Sequence, residues 1–298
     1  MFRPFTTAQA PEVGMTPDTL RTSRVRREHH GVYVESFLEP DLDLSVAAAR
    51  LVLPEDVLLD GVSALHALAV EVGEPRPSRF VTTHPHQVRR PGVRVRRVAA
   101  LPPTTDGRVV APAHAFLTAA ADLDLDLVEL VAAGDWLVRW GATSWAELVG
   151  ITSLARGRHV RRARRAASLV RDRVDSPQET RLRLCLVLAG LPEPDVNPVI
   201  EVDGRRVGRV DLLLRRWRVA LEYEGDQHRT DERQWNVDIA RHELLHEGGW
   251  ALMRVTGQRM EHPRAVVSEV VRALRAGGWE GPEPVFDAEW HRLFPTAR

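Results

Sequence analysis

Lysine is absent from this chain of 298 residues, so all 41 of its strongly basic side chains are arginine. They balance 41 acidic side chains to a formal charge of zero, which leaves attraction of a polyanion to local patches and not to the overall field. The single cysteine, Cys185, excludes a disulfide within the chain and makes a reducing cytoplasm the expected home. The opening MFRPFTTAQA lacks the apolar core of a secretory signal, and no run approaches the ~18 apolar residues of a membrane helix, so no membrane partner is expected. Internal repeats and low-complexity tracts are absent too. What is present in quantity is apolar: 44% of the residues are hydrophobic, which excludes wholesale disorder and supplies cores for two or three domains.

The chemistry concentrates in one place. Val207 to Leu214 and Trp217 to Tyr223 read as two short β-runs, with Arg215-Arg216 leaving room for a tight hairpin connection. Alternation puts Glu222 and Glu224 on one side of the second run, roughly 7 Å apart along the chain. Asp211, on the paired run, can join them. Converging carboxylates raise one another's pKa unless a divalent cation neutralises them, and hard oxygen ligands favour Mg²⁺ or Mn²⁺. Upstream, Ser176-Pro177-Gln178-Glu179 opens a helix with Ser at the N-cap, Pro at N1 and Glu at N3, a capping box. Residues 231 to 247 read as a helix, Trp250 to Val255 as a buried strand, and Pro263 to Arg275 as a helix with Val266, Val267, Val270, Val271 and Leu274 inward. Phe286, Trp290, Leu293 and Phe294 predict a short packed helix after the GPEP segment at 281–284. Cys185 falls on the apolar face of the helix that Ser176 opens.

Asp211 followed by Glu222-x-Glu224 resembles the metal-binding core of the PD-(D/E)XK nuclease superfamily, in the less common form with Glu in place of the usual third-position lysine. The longer string E-Y-E-G-D-Q-H, with Gln234, Asp238 and Arg241 after it, resembles more narrowly the DUF559 branch, which is similar to the very-short-patch-repair endonucleases; the resemblance covers about residues 176 to 260. It implies that Asp211 and Glu222 hold the metal, that Glu179 reaches it as well as capping its helix, and that Glu224 or His228 handles the attacking water. Gln227 and Arg229 would contact DNA. The order α, β, β, β, α, β, α fits that fold if Val199 to Val202 counts as its first strand. Asp238 and Arg241 read most simply as an ion pair on a helix surface.

At the N-terminus, Thr6 or Thr7 and then Thr16-Pro17 mark two helix starts around Gly14, and Val25 to Val34 reads as a β-wing. A winged helix-turn-helix of this kind would present Thr19, Arg21, Thr22 and Arg24 to a major groove. The stretch resembles the N-terminal winged-helix domain of AbiEi-type antitoxins over about 35 residues. Residues 41 to 155 carry alternating short strands and helices but no motif with chemistry. His84-Pro85-His86 reads as a surface turn. From Arg156 to Arg173 the chain is rich in arginine with no acidic partner before Asp172, which predicts a phosphate-contacting helix carrying Arg161, Arg162, Arg164 and Arg165.

The chain is therefore expected to be α/β (α+β): a winged helix-turn-helix over 1–40, an α/β middle segment over 41–155, a basic connecting helix over 156–175, and a restriction-endonuclease-like mixed sheet flanked by helices over 176–298. The expected function is a cytoplasmic, Mg²⁺- or Mn²⁺-dependent DNA endonuclease acting in defence or repair. Its expected partners are DNA and either a second copy of itself or a component of a defence system. The alternative is a DNA-binding regulator of antitoxin type whose nuclease fold is catalytically silent.

Overall fold

A computed structural model describes residues 3 to 225, 241 and 243 to 296. These form mixed helices and sheets, the α/β class expected, in two compact units: Met1–Leu125 with Ala142–Ser168, and Asp126–Gly141 with Leu169–Arg298.

The first unit opens on a three-stranded antiparallel sheet of β1 (Phe5–Thr6), β2 (Val25–His29) and β3 (Val32–Glu35), with β3 in the centre. The β2–β3 hairpin lies where the wing was expected. The two helices expected before it are single 3-10 turns instead, Ala10–Val13 and Thr19–Arg21. Pro11, Pro17 and Gly14 (φ 72) punctuate this stretch so closely that no segment is long enough to repay helix nucleation. Phe5, Ala10 and Val25 bury a small core against Met15, Leu20 and Tyr33. A second sheet follows, β4 (Leu58–Leu59) antiparallel to β5 (Ser78–Thr82) and β5 parallel to β6 (Val93–Arg97), with the helices Gly61–Ala67 and Pro112–Ala119 packed together beside it.

The arginine-rich helix Val160–Leu169 belongs to this first unit and is no free connector, because Val160, Ala163, Ala166 and Ala167 bury one face of it. Conversely Leu127–Arg139, read as part of the middle segment, belongs to the second unit. It is apolar around most of its circumference and lies against the helix Pro177–Val187.

The second unit carries a four-stranded sheet in the order β12-β11-β10-β7, made of β7 (Asp195–Val196), β10 (Leu212–Leu214), β11 (Val219–Glu224) and β12 (Ala251–Thr256). β8 (Val199–Val202) and β9 (Arg205–Arg209) form a separate hairpin, so Val199 to Val202 is not the first strand of the main sheet. The expected run Val207 to Leu214 is accordingly broken at Val210-Asp211. β10 and β11 pair antiparallel, Leu214 opposite Val219, through a 3-10 turn at Arg215–Trp217 and the left-handed Arg218 (φ 53), a longer connection than the two residues expected. The parallel partner β12 makes β11 interior, which explains its buried Val219, Ala220 and Leu221.

The helix Pro263–Ala276 buries the five residues expected of it, and Trp290 and Phe294 of the terminal helical turn pack inward, the Trp290 indole Nε1 donating to the Cys185 carbonyl at 3.0 Å. Where Pro263–Ala276 ends, a Cβ on Gly277 would collide with the Trp217 carbonyl oxygen and stand 3.0 Å from its Cβ. Gly277→Ala is therefore expected to cost about 1–3 kcal/mol, read as a lowered urea midpoint; an unchanged midpoint would show that this turn can give way.

Candidate functional site

β11 is the strand on which the site is built. Its neighbour β10 pairs Leu212 with Leu221, and the residue just before that pair, Asp211, turns its carboxylate back to β11: Oδ2 accepts the Tyr223 N–H at 2.6 Å. The Asp211 carbonyl meanwhile accepts the Asn197 N–H at 2.8 Å. Asp211 is thus fixed at both ends, next to Glu222 across the sheet. Burial, with repulsion from Glu179 and Glu222 added, raises its carboxyl to about 6 against the opposing Tyr223 hydrogen bond and the Arg209 charge.

Glu179 is almost fully buried at 7% exposure and serves as cap and strut together. Its backbone N–H donates to Ser176 Oγ at 3.2 Å and that hydroxyl donates to its Oε1 at 3.0 Å; Oε2 accepts the Asp175 N–H at 3.0 Å and the Asn197 side-chain amide at 2.6 Å. The reciprocal bond of the capping box therefore reaches one residue further back than the sequence pattern implies. Asn197 holds a left-handed φ of 50, a conformation asparagine tolerates, and its amide also donates to the Arg173 carbonyl at 2.8 Å.

Three arginines supply countercharge. Arg241 pairs with the Glu222 carboxylate, and its Nη2 also donates to the Arg209 carbonyl at 2.5 Å; Arg209 in turn pairs with Asp175 at 2.7 Å. Arg241 was expected to pair with Asp238, which lies outside the described residues; among those described, its carboxylate partner is Glu222. Glu224 lies beside β12, where Arg254 Nε stands 3.3 Å from its Oε1. Among the described residues no group of three or more His, Cys, Asp or Glu is arranged to hold a metal ion. Glu222 and Glu179 are nonetheless near enough to act on Asp211 electrostatically, and all three are the hard oxygen donors that Mg²⁺ or Mn²⁺ prefers. The donor chemistry fits such a cation, with guanidinium groups balancing the charge here.

His228, Gln227 and Arg229 also lie outside the described residues. Thr19, Arg21, Thr22 and Arg24 sit at the surface around a 3-10 turn, where they make local bonds: Thr19 to Thr16 Oγ1 at 2.9 Å, Arg21 to Asp18 at 3.0 Å, Thr22 to the Thr19 carbonyl at 2.8 Å. In the basic helix, Arg162 donates to the carbonyls of Ala120 and Asp122, and Arg164 to those of Thr152, Ser153 and Ala155, satisfying the ends of neighbouring segments. Those two arginines serve the fold, while Arg161 and Arg165 remain on its surface. Sequence reasoning missed Asp175, Asn197 and Arg209. An Asn ahead of a Pro and an Arg two residues before a strand Asp were the available signals, and neither stands out from a chain with this much arginine.

No family model matches the chain, and no solved structure matches it. Two curated proteins are similar to it: an uncharacterized protein of Mycobacterium tuberculosis strain CDC 1551 / Oshkosh, 26% identical over an alignment of 262 residues that covers 83% of this chain and 92% of that protein, and an uncharacterized protein of strain ATCC 25618 / H37Rv, alike to the same extent. A likeness of that length exceeds either compact unit, so it includes parts of both.

Proposed function

We propose that the second unit is a metal-dependent endonuclease that hydrolyses phosphodiester bonds in DNA. The observation that supports this reading best is the placement of Asp211, its carboxylate held by the Tyr223 N–H across from Glu222 and within electrostatic reach of Glu179. Asp211 and Glu222 stand side by side on adjacent strands with Glu179 near, where carboxylates repel one another, and a cation bound among them would offset that repulsion. Asp211 and Glu222 would hold Mg²⁺ or Mn²⁺, with Glu179 behind them; when bound, the ion supplies positive charge where the scissile phosphate becomes more negative.

The chain's own residues do the rest. Glu224 orients the attacking water and takes its proton, with Arg254 beside that carboxylate. His228 is a second candidate for the proton, and Gln227 and Arg229 for contacts to the DNA. Arg241, paired here with Glu222, would be the residue to take the phosphate were that carboxylate neutralised by a cation, since a guanidinium matches either anion in the same planar fashion. The role we propose for such an activity is defence or repair.

A second reading is favoured by one observation: Glu222 already has its cation in Arg241, as a silent scaffold would. In that case the chain is a DNA-binding regulator. Cleavage of supercoiled, linear and branched DNA, with and without Mg²⁺ or Mn²⁺, separates the two. Metal-dependent nicking lost in Asp211→Ala and Glu222→Ala is the expected result. Intact DNA throughout, with a duplex bound equally by wild type and both variants, would establish the regulator in its place.

A further inference from the structure

The first unit by itself encloses a cleft of about 530 Å³, within the range of small-molecule sites. Its wall is unusually cationic. Five arginines line it against two carboxylates, and both carboxylates are already spent: Asp60 accepts Arg96 Nη2 at 2.8 Å and the Thr118 hydroxyl at 2.7 Å, while Asp122 pairs with Arg79. That leaves Arg94, Arg156 and Arg158, which have no carboxylate partner among the described residues although they face a common space. Like charges gathered without a partner repel one another, and an anion placed among them removes that cost. Guanidinium groups take phosphate oxygens two at a time, so a phosphate is the anion this set suits best.

The geometry of the 155–160 turn delivers two of the three. Gly157 (φ 114) and His159 (φ 64) both take left-handed backbone, which reverses the chain between the helices Trp145–Leu154 and Val160–Leu169. The second of these helices begins at the cleft, where Val160 lines it, and its first amide groups add to the positive potential. Apart from Thr118 and His159, the remainder of the lining is apolar, chiefly Leu117, Ala121 and Val160. A bare inorganic anion would leave that floor unused, and a DNA backbone tracked along a convex surface would not need a cleft.

We propose that this cleft binds a phosphorylated small molecule of nucleotide size, its phosphates held by Arg94, Arg156 and Arg158 and its base laid on the apolar floor. This rests on the first unit alone and stands whether or not the second unit cleaves DNA.

The test is a titration of fluorescently labelled ATP and GTP into the full chain, read by anisotropy, with unlabelled ATP, AMP, pyrophosphate and a 5′-phosphorylated oligonucleotide as competitors. Saturable binding displaced by an unlabelled nucleotide is expected, weakened at least ten-fold in Arg156→Ala/Arg158→Ala. Both positions are exposed, so that variant keeps its fold. Ala121→Trp adds bulk at the apolar floor and leaves Arg94, Arg156 and Arg158 in place, and should weaken ATP at least ten-fold while leaving pyrophosphate binding within about two-fold. The proposal is overturned if no nucleotide saturates the protein below millimolar concentration, if either variant binds ATP as the wild type does, or if the oligonucleotide binds and neither ATP nor pyrophosphate displaces it.

Discussion

Asp135→Ala is expected to lower the unfolding free energy by about 3–5 kcal/mol. Asp135 is 1% exposed on the helix Leu127–Arg139, and its carboxylate satisfies three groups: the Arg171 N–H at 2.7 Å, the Thr180 hydroxyl at 2.7 Å and Arg183 Nη2 at 3.2 Å. Arg183 is itself fully buried and reaches Glu193 at 2.9 Å and the Leu169 carbonyl at 2.8 Å. Truncating the aspartate leaves a guanidinium inside the protein that has lost its nearest buried countercharge and cannot deprotonate. The pair as a whole contributes much less than that loss, because both ions gave up water to form it. Removing both, as Asp135→Leu/Arg183→Leu, should therefore recover part of the stability. Urea denaturation of the two single variants and the double reads this directly, and a double variant as unstable as the sum of the singles would sink the argument.

The same carboxylate has a pH signature. Burial, opposed by Arg183, lifts its pKa from 3.8 to about 6. A carboxyl with a folded pKa above its unfolded value binds its proton more tightly in the folded state, so its contribution to stability falls as pH rises from ~4 to ~6 and is level above that. The difference between wild type and Asp135→Asn should follow that fall. A difference that grew with pH in this window would show that Arg183 outweighs the burial.

For Asp211→Asn the expected effects on activity and stability have opposite signs. Cleavage should fall by on the order of 10³-fold, since several kcal/mol of charge stabilisation at the phosphate depend on the cation that this carboxylate helps to hold. In EDTA, however, the variant should be more stable than wild type by about 0.5–2 kcal/mol. Asparagine keeps an acceptor for the Tyr223 N–H while removing the buried charge that Glu179 and Glu222 repel. Adding Mg²⁺ should raise the melting temperature of the wild type and leave the variant unmoved. If the wild type ignores Mg²⁺ and Asp211→Asn melts no higher in EDTA, the three carboxylates do not form a cation site, and the pairing of Glu222 with Arg241 is the functional arrangement.

What the sequence determined by itself was whatever depends on near neighbours along the chain. The capping residues Ser176, Pro177 and Glu179, the inward valines of Pro263–Ala276, the apolar β-run before Glu222, and the core position of Cys185 all follow from period and local chemistry, which span a few residues. Local rules failed where they competed with one another, as between Thr6 and Arg21, where cap signals were present but the proline and glycine spacing left only 3-10 turns. Only the tertiary structure decided which arginine goes where. In a chain with no lysine every cation has the same signature, and the fold alone sorts Arg241 to Glu222, Arg183 to Asp135, Arg164 to a helix end, and Arg94, Arg156 and Arg158 to a shared cleft. A charge's partner is set by which distant segments pack together, and that packing energy is non-directional and summed over the whole core, so no short window of sequence contains it.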